Sequence, residues 1–243
     1  MKKIALFICL LGAIVSCKGL TGVDETSRDW KIEGSTMTWG EHNYTLAGVV
    51  TEPEFDKDGV MISAAPKTAE AVVTFTHNPE GYNEFSTVYR EFLGKSKEGA
   101  AAMLPMAMEL YGRNRLTGER CLQLLCGSLG AQDVIRELGS KMYRSTYSPT
   151  TDLYVQRYLP AALLKGAVPE NAYTPIEPYT VELWRSNNRP QGDYCYLSIY
   201  GAGWDTSLRG VELKQNGSHY IVNNCPACYS QCKTIKGEWS GIK

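Results

Sequence analysis

Between Pro79 and Gly166 the chain carries helical patterning with no strand signal inside it, and strand signals stand on both sides of that block. A doubly wound parallel sheet needs strands and helices in alternation, so this segregation excludes it and leaves an α+β fold. Within the block, "GYNEFSTVYREFLG" sets Phe85, Val88, Tyr89 and Phe92 at three- and four-residue steps, the buried stripe of an amphipathic helix. In "SKEGAAAMLPMAMELYG", Ser96 is a helix start and Pro105 implies a kink or a break. "LTGERCLQLLCGSL" and "AQDVIRELGSKMY" read as two shorter helices. "TDLYVQRYLPAALLKG" reads as a last one, with Gly166 just past its end.

Residues 30–76 are β-rich. "TMTWGEHNYTLAGVV", "GVMISA" and "AVVTFT" carry the β-branched and aromatic residues that suit strands, and "TEPEFDKDG" between them is a turn by composition. After residue 166 the Pro-rich "AVPENAYTPIEP" reads as extended and held by packing. "YTVELWRS", "DYCYLSIYG", "GVELKQ" and "HYIVNN" then alternate in polarity, a meander of about four antiparallel strands over 167–243. "QNGS" is the strongest hairpin cue, with Asn216 and Gly217 as its central residues. The expected architecture is an N-terminal β region (30–76), a central helical bundle (77–166) and a C-terminal antiparallel β meander, with 30–243 long enough for one domain.

The segment "GAVPENAYTPIEPYTVEL" resembles a stretch of an uncharacterised family of bacterial exported proteins, a domain of unknown function, over roughly residues 75–243. That resemblance implies an α+β fold and transfers no activity and no site residue.

The amino-terminal "MKKIALFICLLGAIVSC" sets Lys2 and Lys3 before an apolar run of about a dozen residues, too short for the ~20 that span a bilayer as a helix. It reads as an export signal over residues 1–16. Ile14, Val15, Ser16 and Cys17 resemble the lipobox of bacterial lipoproteins. The resemblance implies cleavage before Cys17, acylation of its sulfur (palmitate among the usual chains) and attachment to a membrane through that lipid. The alternative is an ordinary signal peptide with a chance cysteine. Residues 17–29 would form a flexible tether. Lys18, in place of an aspartate, favours the outer membrane or cell surface over the inner membrane.

Lys and Arg number 25 against 26 Asp and Glu, and no basic stripe appears, so nucleic acid is not an expected partner. Of eight cysteines, Cys9 belongs to the signal and Cys17 to the lipid. Cys225, Cys228 and Cys232 crowd into "CPACYSQC", with Cys195 in a neighbouring strand. Four uses stand side by side, plain free thiols being one of them. Outside the cytosol they would staple the terminal strands as disulfides. With Cys195 as a fourth ligand they would hold zinc, the one cofactor in view. A thioredoxin-like redox pair would need the C-x-x-C at a helix start. Cys121 and Cys126, five apart on a helix, lie about 8 Å apart and face away from one another, so they read as buried free thiols.

On "DYCYLSIYGAGW", Tyr194, Tyr196, Ser198 and Tyr200 share one face, and Cys195, Leu197 and Ile199 the other. With Trp184 and Trp204 they make an aromatic row that can stack on sugar rings or peptides, unless the helices cover that face and make it core. "EPEFDKDG" mimics half an EF-hand, but Ala65 stands where the bidentate glutamate belongs, so it reads as a solvated acidic turn. Three histidines (His42, His77, His219), no H-E-x-x-H, no G-x-S-x-G elbow and no phosphate-binding loop leave no recognisable catalytic set. The expected role is a non-catalytic cell-envelope binding or assembly module, with cell-wall glycan or another envelope protein as partner. A glycan-binding surface protein and an enzyme with an unrecognised site are the alternatives.

Overall fold

The computed structural model describes residues 28–143 and 156–235. The signal, Cys17 and most of the tether lie outside the described residues. Eight strands form one sheet in sequence order: β1 (Trp30–Glu33), β2 (Thr36–Trp39), β3 (His42–Gly48), β4 (Ala71–Phe75), β5 (Tyr179–Arg185), β6 (Tyr194–Tyr200), β7 (Leu208–Asn216) and β8 (His219–Asn224). Every neighbouring pair is antiparallel. Three helices, α1 (Tyr82–Glu91), α2 (Lys97–Arg113) and α3 (Arg115–Met142), are inserted between β4 and β5. The two expected β regions are therefore halves of one sheet, joined where Val73 lies opposite Val181.

Alternation decides the two faces. Met37, Tyr44, Val73, Phe75, Val181, Leu183, Leu197, Ile199, Val211, Leu213 and Val222 are buried and point toward the helices. Each such side chain contributes about 1.5–3 kcal/mol on leaving water. α2 packs against β4 to β8 and is buried along most of its length. It starts where Ser96 Oγ accepts the Gly99 N–H at 3.0 Å. It runs through Pro105 as a single helix, because the packed face on every side offsets the missing hydrogen bond that elsewhere ends a helix. α3 flanks β8, and a Cβ on Gly130 would lie 3.6 Å from the Asn223 carbonyl oxygen. That close approach shields the last strand's edge.

Several expectations are corrected. "GVMISA" forms no strand: only Phe55 and Met61 bridge, and Val60 and Ile62 are exposed. The reason is Asp56, whose Oδ1 accepts the Asp58 and Val60 N–H groups at 2.9 and 2.8 Å and closes a turn with Gly59 at φ +80°. The acidic stretch is the turn that was expected. The two shorter helices read around Cys121 are present: the span α3 is interrupted at Gly127, whose φ 69° and ψ 160° are non-helical. The described part of the last expected helix holds only a short 3-10 turn, Ala161–Leu163, following Pro160; the proline lacks the N–H a longer helix would need. In the β7–β8 hairpin Asn216 pairs with His219, so Gly217 and Ser218 are central, with Gly217 first at positive φ. The Pro-rich crossing is ordered but not fully extended: Pro169–Asn171 form a 3-10 turn, and Ala172 and Tyr173 take left-handed φ. The Asn171 side chain accepts the Val168 N–H and donates to the Gly166 and Thr174 carbonyls.

Candidate functional site

The helices cover the Leu197 and Ile199 side of β6, so Tyr194, Tyr196 and Tyr200 lie on the opposite, outer face, each half-buried. Trp184 joins them through its pairing with Ser198. Its indole Nε1 is buried without a hydrogen-bond partner. Lys214 sits over the Tyr194 ring at 5.4 Å. Tyr196 lies beside the Glu212 carboxylate, and its phenol is raised by desolvation first and that neighbour second. Trp204 does not belong to this row. It is buried, donates from Nε1 to the Ser230 carbonyl at 3.3 Å, and carries Arg209 over its ring at 4.6 Å.

At the start of β6 the sheet ends in an open groove of about 430 Å³. Tyr194, Cys195 and Tyr220 line it, with Lys97, Glu52 and Asp193 at its polar rim. Lys97 ion-pairs with Glu52. The buried Glu98 carboxylate, in the first turn of α2, accepts the Val50 N–H at 2.9 Å and so ties the β3–β4 loop to the helix.

All six described cysteines are free thiols, so no disulfide staples the terminal strands in this structure. Cys195 lines the groove, while Cys225, Cys228 and Cys232 are buried in the turn after β8. Arg209 grips that turn through the Ala227 carbonyl and Ser230 Oγ, and Gln156 clamps Cys232 through its backbone N–H and carbonyl. The C-x-x-C is a turn and not a helix start. Burial pushes the Cys228 thiol up to about 12, against the lowering a redox pair requires. Burial also pushes Cys126 and Cys232 up to about 12 and Cys195 to about 11. Among the described residues, the cysteines form no group of three with ligand spacing.

The group that does converge is His42, His77 and Glu80, whose candidate ligand atoms all lie within 4.8 Å of one another. The β3–β4 register that puts Tyr44 opposite Phe75 carries on through the Thr76 N–H to Asn43 carbonyl bond at 3.1 Å, and so brings His42 opposite His77. Their rings stack at 4.5 Å. Beneath them Glu84, in the first turn of α1 and 2% exposed, accepts from three groups. His42 Nδ1 lies 2.6 Å and the Tyr44 hydroxyl 2.8 Å from its Oε1, and the Glu80 N–H reaches its Oε2 at 2.7 Å. Burial first, and then the Glu84 charge, raises the Tyr44 phenol, which holds it as a protonated donor. Sequence reasoning missed this cluster, because a strand register and not a spacing assembles it.

Residues 77–236, about two thirds of the chain, match the family described as "Domain of unknown function (DUF6935)". The chain belongs to this family. The DUF6935 region holds all three helices and β5 to β8, whereas β1 to β4 and His42 precede it. No curated protein and no solved structure matches the chain.

Proposed function

We propose that this DUF6935 protein is an exported, lipid-anchored cell-envelope binding module that holds cell-wall glycan on the outer face of its sheet. The supporting observation is the position of Tyr194, Tyr196 and Tyr200, with Trp184, on the face opposite the helices. Aromatic rings present flat apolar faces to the C–H faces of sugars, and their polar tips take hydroxyl hydrogen bonds. The groove at the start of β6 is a separate feature: apart from Tyr194 its strand residues Cys195, Gln215 and Tyr220 belong to the helix-side face, beside Lys95–Glu98. Cys17, in its lipobox-like setting, supplies the attachment, and several acyl chains at about 0.8 kcal/mol per methylene hold the chain at the membrane.

The test is co-sedimentation of the purified chain with insoluble peptidoglycan, comparing wild type with a Tyr194→Ala, Tyr196→Ala, Tyr200→Ala triple variant. Retention of the wild type and its loss in the triple variant, at unchanged melting temperature, are expected. Absence of wild-type retention, or equal retention of both, overturns the glycan reading. Palmitate labelling in cells that disappears in Cys17→Ser tests the anchor separately.

A further inference from the structure

We infer that His42, His77 and Glu80 form a binding site for a divalent transition-metal ion of the zinc type, with the Glu84 carboxylate behind His42 as its outer support. Two imidazoles and a carboxylate are a donor set suited to such an ion, and three protein ligands leave a coordination position open to solvent. The His42 ring shows the arrangement most informative here. Its Nδ1 is engaged by the buried Glu84 at 2.6 Å, the contact by which a carboxylate orients a ligating imidazole and raises its basicity. With that proton directed to Glu84, Nε2 presents a lone pair, and it faces Glu80 Oε1 at 3.8 Å. A metal ion bound between them would take both atoms as ligands.

An imidazolium at His42 would also satisfy two carboxylates, but it needs no second imidazole. The stacked His77 brings a further ring nitrogen into the same 4.8 Å group. Tetrahedral donors on zinc sit roughly 3.3 Å apart at ligand distances of ~2.0–2.1 Å, so the group must close by about 1.5 Å. His77 and Glu80 are exposed, so that movement falls to them, while His42 and Glu84 are held by burial. Arg28 contacts both Glu80 oxygens, at 3.2 Å to Oε1 and 2.9 Å to Oε2. An ion would take Oε1 and leave Arg28 on Oε2. Because His42 opens β3 and His77 follows β4, the ion would tie these two neighbouring strands together where the DUF6935 region begins.

Calorimetric titration of the chelator-treated full chain with Zn²⁺, supported by Co²⁺ absorption, tests the site. One ion per chain is expected, with a cobalt spectrum of nitrogen and oxygen ligands and no thiolate charge-transfer band. Glu84→Gln should weaken binding by roughly 10–100-fold, and His77→Ala and Glu80→Gln by more. His77 and Glu80 are exposed, so these two variants should keep the wild-type melting temperature without metal. No binding by the wild type, binding unchanged in His77→Ala and Glu80→Gln, or a thiolate band would each overturn the assignment.

Discussion

The two halves of the sheet are held in different ways. β5 to β8 lie under α2, and α3 runs beside β8, so their inner faces are closed by a helical layer. β1 to β3 instead build outward by tight hairpins, with Gly34 and Gly40 at positive φ, and all four residues of β1 are exposed. β4 is the hinge between these regimes. It pairs with β5 across more than a hundred residues of intervening chain, and α2 packs on it as well. The family region begins at His77, two residues after β4 ends at Phe75, so the strand completing its sheet edge comes from outside it. An open β5 edge carrying Val181 and Leu183 would be a template for mispairing, and β4 removes it.

The largest effect should come from breaking that seam. Val73→Asp in β4 and Val181→Asp in β5 each bury an uncompensated charge between fully buried neighbours, with an expected loss of more than about 3 kcal/mol. Both should unfold the molecule in one denaturant transition. A Val73→Asp protein whose helices and β5–β8 melt at the wild-type midpoint would show two independent units.

A second contrast is chemical. All six described thiols lie within the family region, and Cys126 and Cys228 are raised from 9.0 to about 12 by burial. Between those values the folded protein keeps protons that the unfolded chain releases, so stability is complete below pH 9 and falls as pH rises toward 12. The slope is up to about 1.4 kcal/mol per pH unit for each thiol. Urea midpoints measured from pH 8 to pH 10.5 should decline, and Cys126→Ala should decline less steeply.

Gly48 ends β3 at φ +82°, and a Cβ there would lie 2.2 Å from the Glu70 carbonyl oxygen. Gly48→Ala should therefore cost about 1–3 kcal/mol through the β3–β4 connection. At the far edge, Ile32→Ser in exposed β1 should change stability by less than about 0.5 kcal/mol. A thermal melt separates these two variants directly.

The sequence made local structure legible and long-range pairing illegible, for a physical reason. Phe85, Val88 and Tyr89, the cap at Ser96 and the alternation through Tyr194–Tyr200 are governed by neighbours a few residues away. The α+β class and the four closing strands follow from such cues. The β4–β5 seam joins Ala71–Phe75 to residues beyond 178, and nothing local to either strand names its partner. His42 and His77 were equally hidden until Tyr44 was seen opposite Phe75. The Tyr face could be separated from the Cys face by alternation alone, but which of them met the helices was settled only by tertiary packing. The cysteine cluster was ambiguous for the opposite reason: close spacing suggested a shared chemistry, while the burial of Cys225, Cys228 and Cys232 is decided by tertiary packing.

Amide hydrogen exchange resolved along β4 measures the seam most directly. In one continuous sheet, the β4 amides Val72 to Phe75 should exchange as slowly as those of β6 and β7, opening only with the whole molecule. Fast exchange throughout β4 beside full protection of β6 and β7 would contradict it, leaving the first four strands as an appendage to a self-sufficient family domain.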